Sequence, residues 1–290
     1  MTGDTKPERP VLRWHGGKWL LAPWIISHFP PHRVYVEPFG GAWSVGFQKE
    51  RAYAEIWNDL DDELWNLFQV LKDPRRAQRL VHALELTPFS RAEFEQAYRS
   101  SRNSVERARR LLVRSFMGHG SDGGSGVYRT GFRAASNRSG TTPAHDWVNF
   151  TPALGAIIDR LRGVVIEHRP ALQVMARHDA PDTLHYVDPP YLVSTRSRAA
   201  RRPDNGGVYR HEMTEQDHVD LIQALDSLEG MVVLSAYPAP IYDRLLAPKW
   251  TRIERKAFAD GALERTECLW LNPAACQRMA AGPLFEMVTV

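Results

Sequence analysis

The stretch Thr183-Leu-His-Tyr-Val-Asp-Pro-Pro-Tyr191 joins an apolar, β-branched run to a polar turn with two consecutive prolines. The run has the composition of a buried strand, and the prolines end it because they fix φ and cannot donate ladder hydrogen bonds. In open α/β sheets, ligands bind beyond the carboxyl ends of the strands. The stretch therefore predicts a strand over 183–187, followed by a functional turn made of Asp188, Pro189, Pro190 and Tyr191.

Further short apolar runs along the chain predict strands, and helical patterns lie between them. The predicted strands are 33–37, 53–57, 163–167, 231–236 and 267–271. Apolar residues recur at helical spacing from Leu60 to Leu71, and Thr214 with Asp217 has the spacing of a capping box. This alternation predicts an α/β fold built around a mostly parallel sheet.

Composition excludes several classes of protein. The chain has 290 residues, of which 43% are hydrophobic and 24% charged, and no apolar run approaches the roughly 20 residues that span a bilayer. Residues 1–10 are polar and lack the apolar segment of a signal peptide, so we expect a cytoplasmic protein. Two cysteines are too few for a zinc site, and no metal is expected. No phosphate loop, Gly-x-Ser-x-Gly elbow or His-Glu-x-x-His motif occurs.

Residues 74–150 interrupt the alternation of strands and helices. They begin with an arginine-rich sequence of helical pattern and continue into a Gly/Ser-rich loop. Between Arg99 and Arg138 there are nine arginines, no lysine and two acids, and a second arginine cluster extends from Arg196 to Arg210. Arginine suits phosphate and base-edge recognition, so a polyanion is expected here, although a solvated helix face with a loop is equally compatible. The pattern predicts an insertion over 74–150 between catalytic parts 1–73 and 151–290.

Three further features follow or precede predicted strands. Glu37-Pro-Phe39-Gly-Gly41 follows the first strand and precedes a helix predicted from Ser44, an arrangement that lets a cofactor approach the backbone. Asp59 ends the second strand, where an acid can accept hydrogen bonds from ribose hydroxyls or cap the next helix. Trp14-His-Gly-Gly-Lys18 offers an aromatic face and an ammonium for a carboxylate.

The residue types of the Asp188 turn fit chemistry on a nucleobase amine. Such an amine is a poor nucleophile, and Asp188 and the Pro189 carbonyl can each accept one of its hydrogen bonds. Tyr191 can stack on a base rotated out of the duplex. Asp and Pro are also favoured in ordinary turns after strands, and that interpretation is equally open for the turn alone.

Taken together and in order, these motifs resemble the Dam-type N6-adenine DNA methyltransferases, including phage and prophage members. The resemblance implies a Rossmann-like, S-adenosylmethionine-dependent sheet with an inserted, mainly helical target-recognition domain. It implies that the Asp188 turn is catalytic and that the cofactor contacts are Trp14, Lys18, Glu37, Phe39, Gly41, Asp59 and Asp188. Double-stranded DNA is the implied partner of a monomer, with contacts expected at Arg114, Arg129, Thr130, Arg133 and Arg138.

The chain departs from that family's pattern at two positions. Trp43 stands where a second spaced glycine is usual, and Arg169-Pro170-Ala171-Leu172 replaces an acid and an aromatic that hold the cofactor adenine. These departures predict a different arrangement around the cofactor.

Three alternatives remain open at this point. An N4-cytosine DNA methyltransferase uses similar acceptors but more often presents Ser in place of Asp, and protein or RNA methyltransferases usually begin the turn with Asn. The third is a catalytically impaired, methyltransferase-derived DNA-binding protein, against which the intact Asp188 turn argues.

Overall fold

The strands form one seven-stranded sheet in the order β3-β2-β1-β4-β5-β7-β6. The computed structural model describes residues 6–121, 124, 129–134, 141–196, 209–258 and 264–282. The strands are β1 Val34–Glu37, β2 Ala54–Asn58, β3 Val164–Glu167, β4 Thr183–Val187, β5 Met231–Ala236, β6 Thr251–Phe258 and β7 Glu264–Leu271.

The first five strands are parallel, and β7 is antiparallel to both of its neighbours, β5 and β6. Every residue of β4 and β5 is buried, as expected for strands covered on both faces. β1 pairs with β2 on one side and β4 on the other, so the chain reverses its direction of winding between β1 and β4. A crevice at the carboxyl ends of these two strands is the usual ligand site of such sheets.

Helices cover both faces of the sheet. They are α1 Ala22–Ile26, α2 Asp62–Lys72, α3 Pro74–Glu85, α4 Arg91–Gln96, α5 Ser104–Met117, α6 Pro143–Val148, α7 Phe150–Leu161, α8 Ala171–Arg177, α9 Glu215–Asp226, α10 Pro240–Leu246 and α11 Pro273–Ala281. Side chains of α9 and α10 pack on Val232 and Leu234 of β5, whereas α1 packs on the face that carries Tyr35 and Val233. The mixed α/β fold predicted from the sequence is confirmed.

Local signals explain where helices begin. Asp61 caps α2 by accepting from the backbone N–H groups of Glu63 and Leu64, and the predicted capping box of Thr214 and Asp217 is present at α9. The predicted helix from Ser44 is wrong, because residues 44–48 form consecutive turns. Trp43, immediately before them, has a left-handed φ of 53°, which a right-handed helix cannot contain.

The described part of 74–150 is mainly helical, with α3 to α6 and the first residue of α7. Its buried side chains share one apolar core with α2 and with the Trp57 side chain of β2. The insertion therefore packs directly on the sheet, and its boundaries stay a prediction. Within the described residues, no helix has the length and apolar character needed to cross a membrane.

Candidate active site

A cavity of about 1090 Å³ opens at the carboxyl ends of β1 and β4. All of the predicted catalytic and cofactor residues line it, although they come from four separate segments of the chain. These residues are Trp14, Lys18, Glu37, Phe39, Gly41, Asp59, Asp188, Pro189, Pro190 and Tyr191. The structure thus brings the predicted residues together, and the role of each stays a prediction.

Asp59 and the Gly-rich turn form one end of the cavity. The Asp59 carboxylate accepts the backbone N–H of Gly41 at 2.9 Å and that of Asp61 at 2.8 Å. Gly41 has a φ of 49°, a left-handed conformation that glycine adopts without strain. Burial raises the pKa of Asp59 to about 6. Asp61, and not Asp59, caps α2, so the cap does not occupy the Asp59 carboxylate.

Lys18 lies beside the predicted catalytic carboxylate. Its ammonium is 2.8 Å from Oδ2 of Asp188, donates to the Gly16 carbonyl at 2.9 Å and lies 4.6 Å from the centre of the Tyr191 ring. Burial lowers the Lys18 pKa, but the charges of Asp188 and Glu267 outweigh it and hold that pKa above its ordinary value. The ammonium is therefore charged and compensates for the burial of Asp188.

Two carboxyl groups, one buried and one partly buried, complete the polar lining near Lys18. Glu37 accepts a short hydrogen bond from the Tyr35 hydroxyl, and burial raises the Glu37 pKa to about 8. Burial also raises the pKa of Asp188, although Lys18 opposes the shift. Oδ1 of Asp188 is buried and accepts no hydrogen bond of good geometry among the described residues, although the nearby hydroxyls of Tyr191 and Ser235 help to lower the pKa of the carboxyl group. Oδ1 is thus available as an acceptor for a ligand.

Tyr191 is held by residues that the sequence analysis did not single out. Its hydroxyl lies 2.7 Å from Oγ of Ser235 on β5 and donates to Oε2 of Glu267 on β7 at 2.9 Å. Glu267 is 7% exposed, so it is a buried carboxyl group in a strand that is otherwise apolar toward its end. The sequence signal that could have identified Glu267 is its position directly before the apolar run Cys268-Leu-Trp-Leu271. An acid in a buried strand usually has a partner, so it is a candidate for the site.

We expect Tyr191→Phe to lower the free energy of unfolding by about 1–3 kcal/mol, because it leaves the buried Glu267 carboxyl without its donor. Thermal unfolding of the purified variant measures this change. Glu267→Gln is the matched control, since its amide can still accept the Tyr191 hydrogen bond and its effect should be smaller. Equal stability of Tyr191→Phe and the wild type would show that the hydroxyl contact contributes nothing.

Asn58, at the end of β2, holds two loops of the site together. Its side-chain amide donates to the Pro38 carbonyl at 2.8 Å and to the Arg169 carbonyl at 3.0 Å, and its oxygen accepts the Arg169 N–H at 2.9 Å. Asn58 is fully buried. It therefore fixes the turn after β1 against the chain that enters α8, a role that no local sequence pattern indicated.

The structure shows the surroundings of the two positions, Trp43 and residues 169–172, at which the sequence departs from the family pattern. The Trp43 side chain points into the core and is fully buried, so a bulky residue occupies the left-handed position where glycine is usual. Pro170, Ala171 and Leu172 line the cavity where α8 begins, and Leu172 is 41% exposed. An apolar wall thus replaces the acid and aromatic pair at that end of the cavity.

The predicted DNA-contacting residues differ in their exposure. Arg129 is exposed, with its guanidinium 4.9 Å from the centre of the Tyr98 ring, and Thr130 donates its N–H to the Tyr98 hydroxyl at 3.2 Å. Arg133 is partly buried and lies 3.5 Å from the Asp146 carboxylate. Arg138 lies outside the described residues.

Arg114 is the least exposed of the predicted DNA-contacting residues that the structure describes, and its contact with DNA stays a prediction. Its side chain is only 7% exposed, donates to the Ala97 carbonyl at 2.6 Å and pairs with Glu63 at 3.3 Å. These contacts join α5 to α2 and to Ala97, the residue that follows α4. A guanidinium paired with a carbonyl and a carboxylate stabilises this helix packing, so a contact with a duplex would require it to leave these partners.

A mostly parallel sheet that brings Asp59 and the proline-fixed Asp188 turn into one cavity is the arrangement expected of an amino-methyltransferase. The chain belongs to the D12 class N6 adenine-specific DNA methyltransferase family, whose family model matches residues 14–237. Within the described residues, no group of three or more His, Cys, Asp or Glu side chains is placed to hold a metal ion.

Curated relatives match a shorter part of the chain. A DNA adenine methylase from Serratia marcescens is 39% identical over 67 residues, which cover 23% of this chain and 24% of the relative. A DNA adenine methylase from Vibrio cholerae is 38% identical over 72 residues, which cover 25% of this chain and 26% of the relative. The match thus spans about a quarter of the length of these relatives.

Proposed function

We propose that the chain is a site-specific DNA methyltransferase that transfers a methyl group from S-adenosylmethionine to N6 of an adenine flipped out of double-stranded DNA, in the cytoplasm of a bacterial or phage-infected cell. The proposal rests on Asp188, a partly buried carboxylate on a proline-fixed turn whose Oδ1 atom is buried and accepts no hydrogen bond of good geometry among the described residues. This acceptor shares its cavity with Lys18 and Asp59. The family match supports the choice of adenine.

The residues of the cavity fit S-adenosylmethionine. Asp59 accepts only two backbone N–H groups among the described residues, so its oxygens retain lone pairs for ribose hydroxyls. Lys18 uses two donors on Asp188 and Gly16, and its third can reach a methionyl carboxylate. Glu37 accepts a hydrogen bond from Tyr35 and lines the same cavity, so its carboxyl group can accept from the methionyl ammonium. A volume of about 1090 Å³ exceeds that of common small-ligand pockets and leaves room for a base as well.

When bound, S-adenosylmethionine supplies a methyl group on an electron-poor sulfonium. Asp188 accepts one N–H of the adenine amine through Oδ1, and the Pro189 carbonyl accepts the other. These two acceptors keep the nitrogen lone pair directed at the methyl group, and proximity and orientation then supply much of the rate. The Tyr191 ring provides the stacking surface that holds the extruded base.

The amine must lose a proton once its nitrogen has gained a carbon substituent. Asp188 can accept that proton at Oδ1, because burial already raises the pKa of this carboxyl group above its ordinary value. The charged Lys18 ammonium lies beside the other oxygen, Oδ2, and opposes that rise in the pKa of Asp188. One side chain therefore serves in turn as hydrogen-bond acceptor and as base.

Methylation of plasmid DNA by the purified protein with labelled S-adenosylmethionine tests the proposed function. Nucleoside analysis should find the label in N6-methyladenine, and mapping should place it at a defined site. Label confined to N4-methylcytosine would assign the chain to the cytosine class. Absence of transfer from a folded, cofactor-binding protein would favour a DNA-binding derivative.

The affinity for the cofactor should depend on pH through Asp59. Its pKa is about 6 in the unliganded protein, and ribose hydroxyls prefer to donate to the ionised carboxylate. Binding should therefore weaken as the pH falls below 6, approaching about tenfold per pH unit. Calorimetric titration with S-adenosylhomocysteine between pH 5 and 7 measures this dependence.

Asp59→Asn is the matched control for that titration. The amide keeps the shape of the side chain but cannot ionise, so its weaker binding should vary much less over the same pH range. An unchanged pH dependence in Asp59→Asn would assign the titration to another group of the cavity.

Arg129→Gln should weaken duplex binding at all sequences, and the slope of log affinity against log salt concentration should fall by about one. The reason is that Arg129 is exposed on the insertion and a phosphate contact releases condensed counterions. Fluorescence anisotropy at several salt concentrations measures both effects. Arg177→Gln is the control, because Arg177 is an exposed arginine at the end of α8, outside both arginine clusters, and it should leave the slope unchanged.

A further inference from the structure

Arg196, a side chain that the chemistry above does not use, lines the cavity and bonds to the backbone of the catalytic turn. The side chain is 5% exposed. Its Nε donates to the Tyr191 carbonyl at 2.9 Å, and its two terminal nitrogens donate to the Glu212 carboxylate at 2.8 and 2.6 Å. A buried guanidinium is tolerated only when both its charge and its donors are matched. Here a carbonyl matches one side and a carboxylate the other.

A single turn of 3-10 helix, Val193–Thr195, brings Arg196 back onto the catalytic turn. The Leu192 carbonyl accepts from both the N–H and the hydroxyl of Thr195, at 3.0 and 2.7 Å. The chain therefore reverses directly after Tyr191. Two prolines fix φ at positions 189 and 190, but they do not fix the peptide plane that follows Tyr191. The bond from Arg196 to the Tyr191 carbonyl fixes that plane.

Glu212 links the same arrangement to the loop that carries Lys18. Its Oε1 also accepts the Tyr209 N–H at 2.9 Å, and the Tyr209 hydroxyl lies 3.4 Å from the His15 carbonyl. A Cβ atom at Gly16 would lie 2.3 Å from that hydroxyl, so only glycine allows this approach. The Arg196 guanidinium lies 5.2 Å from the centre of the Tyr209 ring. One carboxylate thus connects the catalytic turn with residues 14–18.

We propose that Arg196 and Glu212 are positioning residues for methyl transfer: Arg196 fixes the Tyr191 carbonyl, and Glu212 fixes Arg196. Both act through Tyr191. The direction of the Asp188 and Pro189 acceptors depends on this turn, and a misplacement of about 1 Å in such a site costs on the order of 100-fold in rate. The kinetic consequence rests on the proposed function, whereas the rigidity of the turn does not.

Glu212→Gln and Arg196→Lys test the proposal in two ways. Glu212→Gln is nearly isosteric but removes the charge, and Arg196→Lys keeps the charge but loses the planar fork of donors. In both, kcat should fall about 10- to 100-fold while the dissociation constant for S-adenosylhomocysteine stays within about twofold. Glu212→Asp, which retains the charge, should recover part of kcat. Asp243→Asn is the control, since it breaks the exposed pair of Asp243 with Arg252.

Hydrogen exchange measured on the peptide 187–196 provides a readout that needs no turnover. Exchange there should speed up about fivefold or more in Glu212→Gln and Arg196→Lys, but not in Asp243→Asn, because the turn opens locally once Arg196 loses its partners. Unchanged exchange would overturn the proposal, as would faster exchange with kcat within about twofold of the wild type. If the wild type transfers no methyl to adenine, the proposed function fails, and exchange alone then decides whether these residues hold the turn.

Discussion

Asp188→Ala is expected to reduce methyl transfer to adenine by about 1000-fold or more, which corresponds to about 4 kcal/mol of transition-state stabilisation. The variant loses the acceptor that orients the amine and the group that takes its proton. Single-turnover measurement with a labelled cofactor gives the rate of the chemical step. Calorimetric titration should still detect cofactor binding, because Asp59 and Glu37 remain in place.

The loss of Asp188 also leaves the buried Lys18 ammonium without its closest partner. Breaking a buried pair in this way destabilises proteins by about 3–5 kcal/mol, so thermal unfolding must accompany the kinetics. Asp188→Asn separates the two effects, since its amide oxygen can still accept from the amine but cannot take the proton. A rate for Asp188→Ala equal to that of the wild type would remove the basis of the mechanism.

Trp43→Ala is expected to lower the free energy of unfolding by about 3–5 kcal/mol, because it leaves a large cavity in the core. The Trp43 indole is fully buried and packs beside Phe47 and under the Arg160 guanidinium, 4.9 Å from the ring centre. For a chain of this size the melting temperature should fall by about 5–15 °C. Differential scanning calorimetry measures the change.

Trp43→Gly provides an unusual control. Glycine is normally less stable than alanine by about 0.5–1 kcal/mol in ordered structure, but φ at position 43 is 53°, where any Cβ costs about 1–2 kcal/mol. Trp43→Gly should therefore be at least as stable as Trp43→Ala. A lower melting temperature for the glycine variant would show that the chain relaxes out of the left-handed conformation once the indole is gone.

The strands whose two bounds agree with the prediction are those buried on both faces. β4 and β5 have the predicted bounds because continuous apolar runs of this length have few alternatives in a sheet. β6 was missed, since Thr-Arg-Ile-Glu-Arg-Lys lacks such a run. It is the last strand at its edge of the sheet, where charged side chains keep the strand from pairing further.

Some residues of the site could also be predicted from the sequence, and others could not. Glu37, Asp59 and Asp188 could be placed together because each ends or follows a parallel strand, and those ends meet at one edge of the sheet. Contacts between distant segments leave no such local signal. Glu267 comes from the interior of an antiparallel strand, and Glu212 reaches Arg196 from sixteen positions along the chain.

The burial of Arg114 was not predicted, because a count of arginines does not distinguish solvent-facing from internally paired side chains. On α5, Arg107 pairs with Glu63 and Arg109 with Glu93, acids that lie on other helices. Some arginines of the insertion therefore stabilise the packing of its helices, in addition to any contact with DNA.

The acid that meets the Tyr191 hydroxyl is selected by strand register. Side chains alternate along β7, so Glu267 shares a face with Leu269, while Cys268 and Trp270 point into the opposite layer with α9 and α10. Loss of a single codon within this hairpin would exchange the two faces and present an apolar group to Tyr191. We therefore expect an in-frame deletion in this hairpin to disturb the site. The hairpin is distant in sequence from the loop motifs by which the family is recognised, although Glu267 contacts Tyr191 in space.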